Sequence, residues 1–124
     1  MTLQEAISKF DLLHKNTIPT ELKVEWLSQL DHIIYNEIIL THEDFENVVF
    51  SPFTSKTPAD TPLLVPDPYS ELYIHHLASK KDLYLSDIAR YNNDIMLYST
   101  SYRDFENHYN SKHIPLKKVS FFNA

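Results

Sequence analysis

The sequence contains no glycine and no cysteine. Phosphate-binding loops, dinucleotide fingerprints and nucleophile elbows lose the residue that their tight backbone turns require. Thiolate catalysis, disulfides and cysteine-ligated zinc or iron–sulfur sites are excluded as well. Long apolar runs are also missing, since no stretch approaches the roughly 18 residues of a membrane span and residues 1–10 lack the basic start of a signal peptide. We therefore expect a soluble, intracellular protein that does not contact a membrane.

Basic side chains are scarce. The chain has 17 acidic and 11 basic residues, which gives a formal net charge of −6. Because the basic residues form no long run, phosphate-backbone binding has no evident electrostatic basis. The pairs Lys80–Lys81 and Lys117–Lys118 are too small for a nucleic-acid patch. A length of 124 residues suits one domain with a single core, so we expect one domain over residues 1–124.

Proline divides the chain, with five of its seven prolines between residues 52 and 68. Upstream, Thr2 and Glu5 have capping-box spacing and predict a helix over about residues 3–15. Thr20 is the predicted cap of a second helix that ends near Thr41 or His42. Helical periodicity is then lost over residues 43–66. We expect a long proline-rich loop or arm there, with room for one short β-ribbon at "NVVFSPF".

The C-terminal half predicts a long helical region. Asp67 is suited to cap its start and Pro68 to occupy its first position. Apolar and aromatic residues then recur at steps of three, four or seven, which is typical of a narrow buried seam. The seam comprises Leu77, Tyr84, Ile88, Tyr91, Ile95, Tyr98, Tyr102, Phe105 and Tyr109.

This region extends from about residue 68 to residue 113, either as one bent helix or as two helices with a restart at Ser86 and Asp87. The predicted fold class is therefore all-α: a small helical bundle with one long C-terminal helical region. The mid-chain loop and an extended C-terminal tail over residues 114–124 complete it.

The aromatic residues of the seam permit two interpretations. Tyrosine can fill the core of a bundle and extend its hydroxyl to the surface, or it can line a subunit interface, since it combines apolar area with a group that tolerates water. The apolar tail is unusual because chain termini are commonly polar and frayed. It can fold back on its own bundle or dock on a neighbouring subunit. The candidate interface residues are Tyr91, Tyr98, Tyr102, Tyr109, Phe50, Phe53, Leu116, Val119, Phe121 and Phe122.

Candidate catalytic and metal-binding groups are few. Glu71 and His75 lie four residues apart, as metal ligands on a helix can. There is no HExxH motif and no third ligand nearby, so a solvated helix face is the simpler interpretation. His108 and His113 are five apart and do not share a helical face. We therefore predict no catalytic residue, metal or cofactor.

Several quoted stretches carry a family resemblance. "LLVPDPY" leads into "ELYI", "ARYNND" follows, and "YNSKH" closes the long helical region; "KVEWLSQLDHIIYNEIILTH" precedes them. Together they resemble a family of short proteins encoded in the head-to-tail connection region of phages and prophages of Gram-positive bacteria. The chain departs from that family in having no glycine, which other members carry in the mid-chain loop and near the position of Ser86.

The resemblance implies an all-helical head-completion adaptor, a structural virion protein without enzymatic activity. Its implied partners are further copies of itself in a dodecameric ring, the portal protein, and a stopper or tail-completion protein. DNA would pass through the channel without specific binding, and an acidic lining fits that passage because it repels phosphate. The implied location is the neck of the virion, and the host cytoplasm during assembly.

Two alternatives remain open. One is a stopper or tail-completion protein of the same neck region, for which we would expect a hexameric ring and more β-structure. The other is a small helical regulatory or interaction protein, or a metal-dependent enzyme. A regulator would need a basic face, and an enzyme a complete ligand set.

Overall fold

The computed structural model describes residues 1–116. These residues form the helices α1 (Leu3–Leu13), α2 (Thr20–Glu37), α3 (Glu71–Tyr84) and α4 (Ile88–Lys112), with short 3-10 turns at Ile39–Thr41 and Phe45–Asn47. Within this part of the chain there is no β-strand, and the "NVVFSPF" stretch is irregular after Asn47, the last residue of the second 3-10 turn. The all-α prediction is confirmed. The tail residues Val119, Phe121 and Phe122 lie outside the described residues.

The central element of the bundle is α3, which contacts α1, α2 and α4. It is buried around most of its circumference, as expected for a helix with neighbours on several sides. Its side chains with at most 3% exposure include Leu72, Tyr73, Ile74, Leu77 and Ala78.

The helices α3 and α4 form an antiparallel hairpin. The ring of His76 lies 5.4 Å from that of Tyr98, and Tyr69, just before α3, lies 6.2 Å from Phe105. Residue numbers along α3 therefore decrease in the direction in which those along α4 increase. The restart predicted at Ser86 and Asp87 is confirmed, because α3 ends at Tyr84 and the Asp87 side chain accepts a hydrogen bond from the Arg90 amide at the start of α4.

Ser86 makes the turn of this hairpin with a left-handed backbone, φ = 57°. Its amide donates to the Leu83 carbonyl (3.1 Å), and the Asp87 amide donates to the Asp82 carbonyl (2.8 Å). This is a Schellman cap, in which glycine is the usual left-handed residue. In this chain serine therefore takes the left-handed conformation that glycine usually supplies at a helix end.

The predicted start of α1 is confirmed, since Thr2 and Glu5 form a capping box. The predicted start of α2 is one residue off: Pro19 is the N-cap and Thr20 the first helical residue, with no side-chain cap bond. Helix α2 ends at Glu37, before the predicted limit at Thr41 or His42, and the 3-10 turn carries the chain on to Thr41.

The predicted cap of the long helical region is corrected. Ser70, and not Asp67, occupies the N-cap of α3, and helix geometry begins at Glu71. Asp67 and Pro68 belong to the preceding turn, in which the Asp67 carboxylate accepts a hydrogen bond from the Ser70 hydroxyl. The side chain that was expected to bind a helix amide therefore closes a turn.

The mid-chain segment lies against the bundle. Its residues Leu63 and Val65 are 7% and 0% exposed. The Leu3 amide donates to the Thr61 carbonyl (2.9 Å), and the Leu63 amide donates to the Met1 carbonyl (3.0 Å). The second half of the segment is consequently part of the core.

Candidate functional site

The tyrosine seam of α4 faces the protein's own core. Tyr109 is 8% exposed, and Tyr98 and Tyr102 are half-buried. The Tyr102 hydroxyl donates to Glu37 Oε2 at the end of α2 (2.8 Å). Burial and the nearby Glu37 carboxylate raise the pKa of Tyr98 to about 12. These three tyrosines pack in or against the core, which is the first of the two roles that the sequence permits. Only Tyr102 among them bonds its hydroxyl to a polar group, because the buried Tyr109 hydroxyl has no hydrogen-bond partner within residues 1–116. Tyr91 is also half-buried.

The other predicted interface residues lie in two places. Phe50 is half-buried, with its ring 5.6 Å from His32 and 5.9 Å from Tyr35 on α2. Phe53 is also half-buried, and its amide donates to Ser28 Oγ (2.9 Å). Leu116 is 43% exposed and ends the described chain.

Phe53 borders a groove between α1, α2 and the 53–59 segment, which we call the α1–α2 groove. Its volume is about 450 Å³. Apolar side chains of Leu3, Ile7, Val24 and Phe53 lie inside it, while Glu21 and Glu25 belong to its exposed rim. The groove follows α2 from Thr20 to His32.

A second surface lies where the end of α1 meets the α3–α4 turn. Tyr84 and Leu85 line a second cavity together with Lys15 and Ile18 of the α1–α2 connection. The large apolar side chains grouped at this end are more than half exposed. We call this set, Leu12, Leu13, Tyr84, Leu85 and Ile88, the apolar end.

The outward side of α4 continues the apolar end. Met96 is 68% exposed and Leu97 is 50% exposed. From Tyr91 to Tyr102 the sequence contains one charged residue, Asp94, which is half-buried and lines a cavity beside Asp82. The outward side of this stretch is therefore uncharged and carries large apolar groups, which is typical of a surface that another molecule covers.

A buried polar network holds the mid-chain segment to the helices. The Tyr73 hydroxyl donates to Asp31 Oδ1 (2.6 Å) and accepts from the Val65 amide (2.8 Å). The Leu64 amide donates to Asp31 Oδ2 (3.1 Å). Burial raises the pKa of Asp31 to about 6, while the two hydrogen bonds that it accepts oppose the rise. Because each group has a partner, this network is structural.

The carboxyl group of Asp82 is less well satisfied. Asp82 is 1% exposed, and its Oδ2 has no hydrogen-bond partner within the described residues. Burial, together with the adjacent Asp94 carboxylate, raises the pKa of Asp82 to about 7. His14 lines the same cavity, and burial and the Lys81 charge lower its pKa. The cavity thus contains a carboxyl group that readily holds a proton near neutral pH.

The C-terminal end of α4 is clamped onto the chain after α2. His42 Nδ1 donates to the Ile38 carbonyl (2.6 Å), and its Nε2 lies 2.7 Å from Asn110 Oδ1. The rings of Tyr109 and His113 stack with centroids 3.8 Å apart. The Leu116 amide donates to the Thr41 carbonyl (2.8 Å). The clamp therefore fixes where the tail leaves the bundle.

Two further features concern possible metal ligands and possible membrane-spanning helices within residues 1–116. Residues 1–116 contain no group of three or more histidine, aspartate or glutamate side chains placed to hold a metal ion. Glu71, considered above as a ligand together with His75, forms an ion pair with Lys9. None of the described helices is both long and apolar enough to span a bilayer.

Sequence reasoning missed the groove, the apolar end and the Asp31 network. Each depends on residues that are far apart along the chain and close in space. The one available signal was the apolar run from Leu83 to Leu85, which continues past the end of the buried part of the seam.

Comparisons with protein-family models, with curated proteins and with solved structures found no match to this chain.

Proposed function

We propose that this protein is a structural subunit of a homo-oligomeric ring, the head-to-tail connector adaptor implied by its family resemblance. In this role it binds the portal protein on one side and a stopper or tail-completion protein on the other, and DNA passes through the ring. It acts in the virion neck after assembly in the host cytoplasm. No chemistry is required of it.

The observation that carries this proposal is the uncovered apolar surface. The apolar end and the outward side of α4 expose large apolar side chains that the elements within residues 1–116 leave uncovered. Exposed patches of this kind commonly mark protein–protein contacts. A ring adaptor needs rigid helices with such a lateral surface, whereas the buried part of the tyrosine seam stabilises the subunit itself.

Two further features support the proposal. The net charge of −6 suits a channel through which a duplex slides, because like charges repel. The helical architecture of the described chain also favours the adaptor over the stopper, for which we expected more β-structure.

Substitutions at the outward side of α4 test the lateral contact. We expect the double variant Met96→Asp, Leu97→Asp to lose ring assembly on the portal, since it places charge on a surface that the ring would bury. The matched control is Asn107→Asp, Ser111→Asp, at two exposed positions of the same helix that lie beyond Tyr102 and outside this uncharged surface. Negative-stain microscopy of portal complexes would show rings for the control and none for the first variant. Rings formed equally by both variants would contradict an interface at Met96 and Leu97.

Tyr98 and Tyr102 are unsuitable for this test. Both are half-buried against the core, so a charged substitution there would destabilise the subunit whether or not they contact a neighbour.

A further inference from the structure

We propose that the apolar C-terminal tail of one copy, with Phe121 and Phe122 as its anchors, occupies the α1–α2 groove of a second copy. The inference deepens the proposed function, on which it rests, by assigning one contact between neighbouring subunits. Four properties of the groove and the tail support it: preformed walls, matching length, matching charge, and the limited reach of the tail within its own chain.

The groove is preformed. Its outer wall is fixed at one end by the hydrogen bond from the Phe53 amide to Ser28 Oγ and at the other by the bond from the Gln4 amide to the Ala59 carbonyl (3.0 Å). Between these points the Thr54 amide donates to Thr57 Oγ1 (2.7 Å), which closes a turn. An incoming segment therefore meets a rigid site and need not order it, which favours binding.

The dimensions suit a short extended peptide with aromatic anchors. The groove follows α2 from Thr20 to His32, a rise of about 18 Å at 1.5 Å per residue. An extended chain covers that distance in about five residues. The stretch "KVSFF", residues 118–122, has this length. The volume of about 450 Å³ lies within the range of sites that take aromatic groups.

The charges are complementary. Glu21 and Glu25 lie one helical turn apart on the rim, and neither forms an ion pair within residues 1–116. In the tail, Lys117 and Lys118 immediately precede the apolar residues. In a net-acidic chain, two adjacent lysines beside an aromatic pair match an apolar groove with an acidic rim. Such rim charges contribute more to orientation and association rate than to affinity.

The reach of the tail favours a second copy over the chain's own groove. Leu116 is held at Thr41, four residues past the end of α2 at Glu37. Glu25 lies 12 residues before Glu37, about 18 Å along the helix. Lys118 is two residues beyond Leu116, about 7 Å of extended chain. The backbone at Lys118 therefore ends about 11 Å short of Glu25 along α2, so a groove on a second copy brings the lysines and glutamates together more directly than the chain's own groove does.

Complementation between two full-length variants tests the proposal. Phe121→Ser, Phe122→Ser keeps the groove and removes the anchors, and Val24→Glu keeps the tail and places a charge inside the groove. Each variant alone should self-associate less than the parent chain, because one half of every tail–groove contact is missing while the surface at Met96 and Leu97 is unchanged. An equimolar mixture should associate more than either variant alone, since a single tail–groove contact can form. Asn36→Glu, on the exposed part of α2 outside the groove, should associate as the parent chain does.

A mixture that associates no more than either variant alone would overturn the proposal. A parent chain that remains a single chain at every concentration, as it would with its tail in its own groove, would also overturn it. A charge exchange provides a second measurement with exposed positions that leave the fold intact. Glu21→Lys, Glu25→Lys should weaken self-association several-fold, and adding Lys117→Glu, Lys118→Glu to the same chain should restore it. Lack of restoration would also contradict the contact. Neither experiment contains portal, so their failure would remove the tail contact and leave portal binding as a separate result.

Discussion

At the scale of single residues, Ser86 shows the consequence of a chain without glycine. It adopts φ = 57° at the left-handed position of the α3 cap, where a non-glycine residue costs about 1–2 kcal/mol. The absence of glycine could be seen in the sequence. The sequence did not show which residue would adopt the left-handed conformation, because that position is set by how closely α4 folds back on α3.

Replacing Ser86 with glycine should therefore stabilise the protein by up to about 1 kcal/mol, the relief of strain less the greater freedom of glycine in the unfolded chain. Urea unfolding would measure it. The control is Ser99→Gly in exposed helix α4, which should destabilise by about 0.5 kcal/mol. Equal destabilisation by both variants would show that residue 86 has no need of a left-handed conformation.

Asp82 gives a pH-dependent prediction. Burial and the Asp94 carboxylate raise its folded pKa to about 7, above the value of 3.8 for a free side chain. The folded state therefore holds the proton more tightly. The contribution of protonated Asp82 to the free energy of unfolding is therefore fully present below about pH 4 and is lost as the pH rises through about 7.

Asp82→Asn should consequently gain about 2 kcal/mol of stability relative to the parent chain between about pH 5 and about pH 8. Urea unfolding at both pH values measures the difference, with Asp60→Asn on the exposed loop as a control that should show none. A pH-independent effect of Asp82→Asn would mean that this carboxyl group is not perturbed.

At the scale of elements, the local signals were the reliable ones. The capping box at Thr2 and Glu5 predicted the start of α1 because its donors and acceptors lie within four residues. The Asp–Pro pair misled because the same dipeptide suits both a turn and a helix start. In the fold the Ser70 hydroxyl, and not a helix amide, binds Asp67.

The mid-chain segment could not be placed from sequence. Its loss of helical periodicity indicated a loop, but its attachment depends on Asp31 and Tyr73, which lie 33 and eight residues from its amides at Leu64 and Val65. Buried polar groups whose partners are this far away in the chain produce no periodic pattern in the amino-acid sequence. The groove beside the segment, which depends on the same attachment, was missed for that reason.

Tyr73→Phe tests this attachment. The change leaves the buried Val65 amide without a partner and removes a donor from Asp31, so we expect a loss of about 2–3 kcal/mol. Hydrogen exchange at the Val65 amide should also accelerate. The control is Tyr69→Phe, since the hydroxyl of Tyr69 has no hydrogen bond within residues 1–116 and should be dispensable. Unchanged exchange at Val65 in Tyr73→Phe would contradict the network.

At the scale of the whole molecule, one helical unit fills its core with most of the predicted seam and leaves one end and one side of α4 apolar and exposed. The all-α class followed from periodicity in the sequence. Which side chains would remain at the surface did not, because α3 packs against one face of α4, where His76 meets Tyr98, and leaves Met96 and Leu97 on the uncovered face. The surfaces available for assembly are thus a property of the packed molecule.

The adaptor function is best tested by the mass of the complex formed when the purified chain is mixed with the portal protein encoded in the same genome, measured by light scattering. An adaptor should raise the mass above that of the portal alone by one discrete amount, equal to a closed ring of this chain and constant once the chain is in excess. A portal mass that does not change at any ratio of the two proteins would contradict the adaptor function.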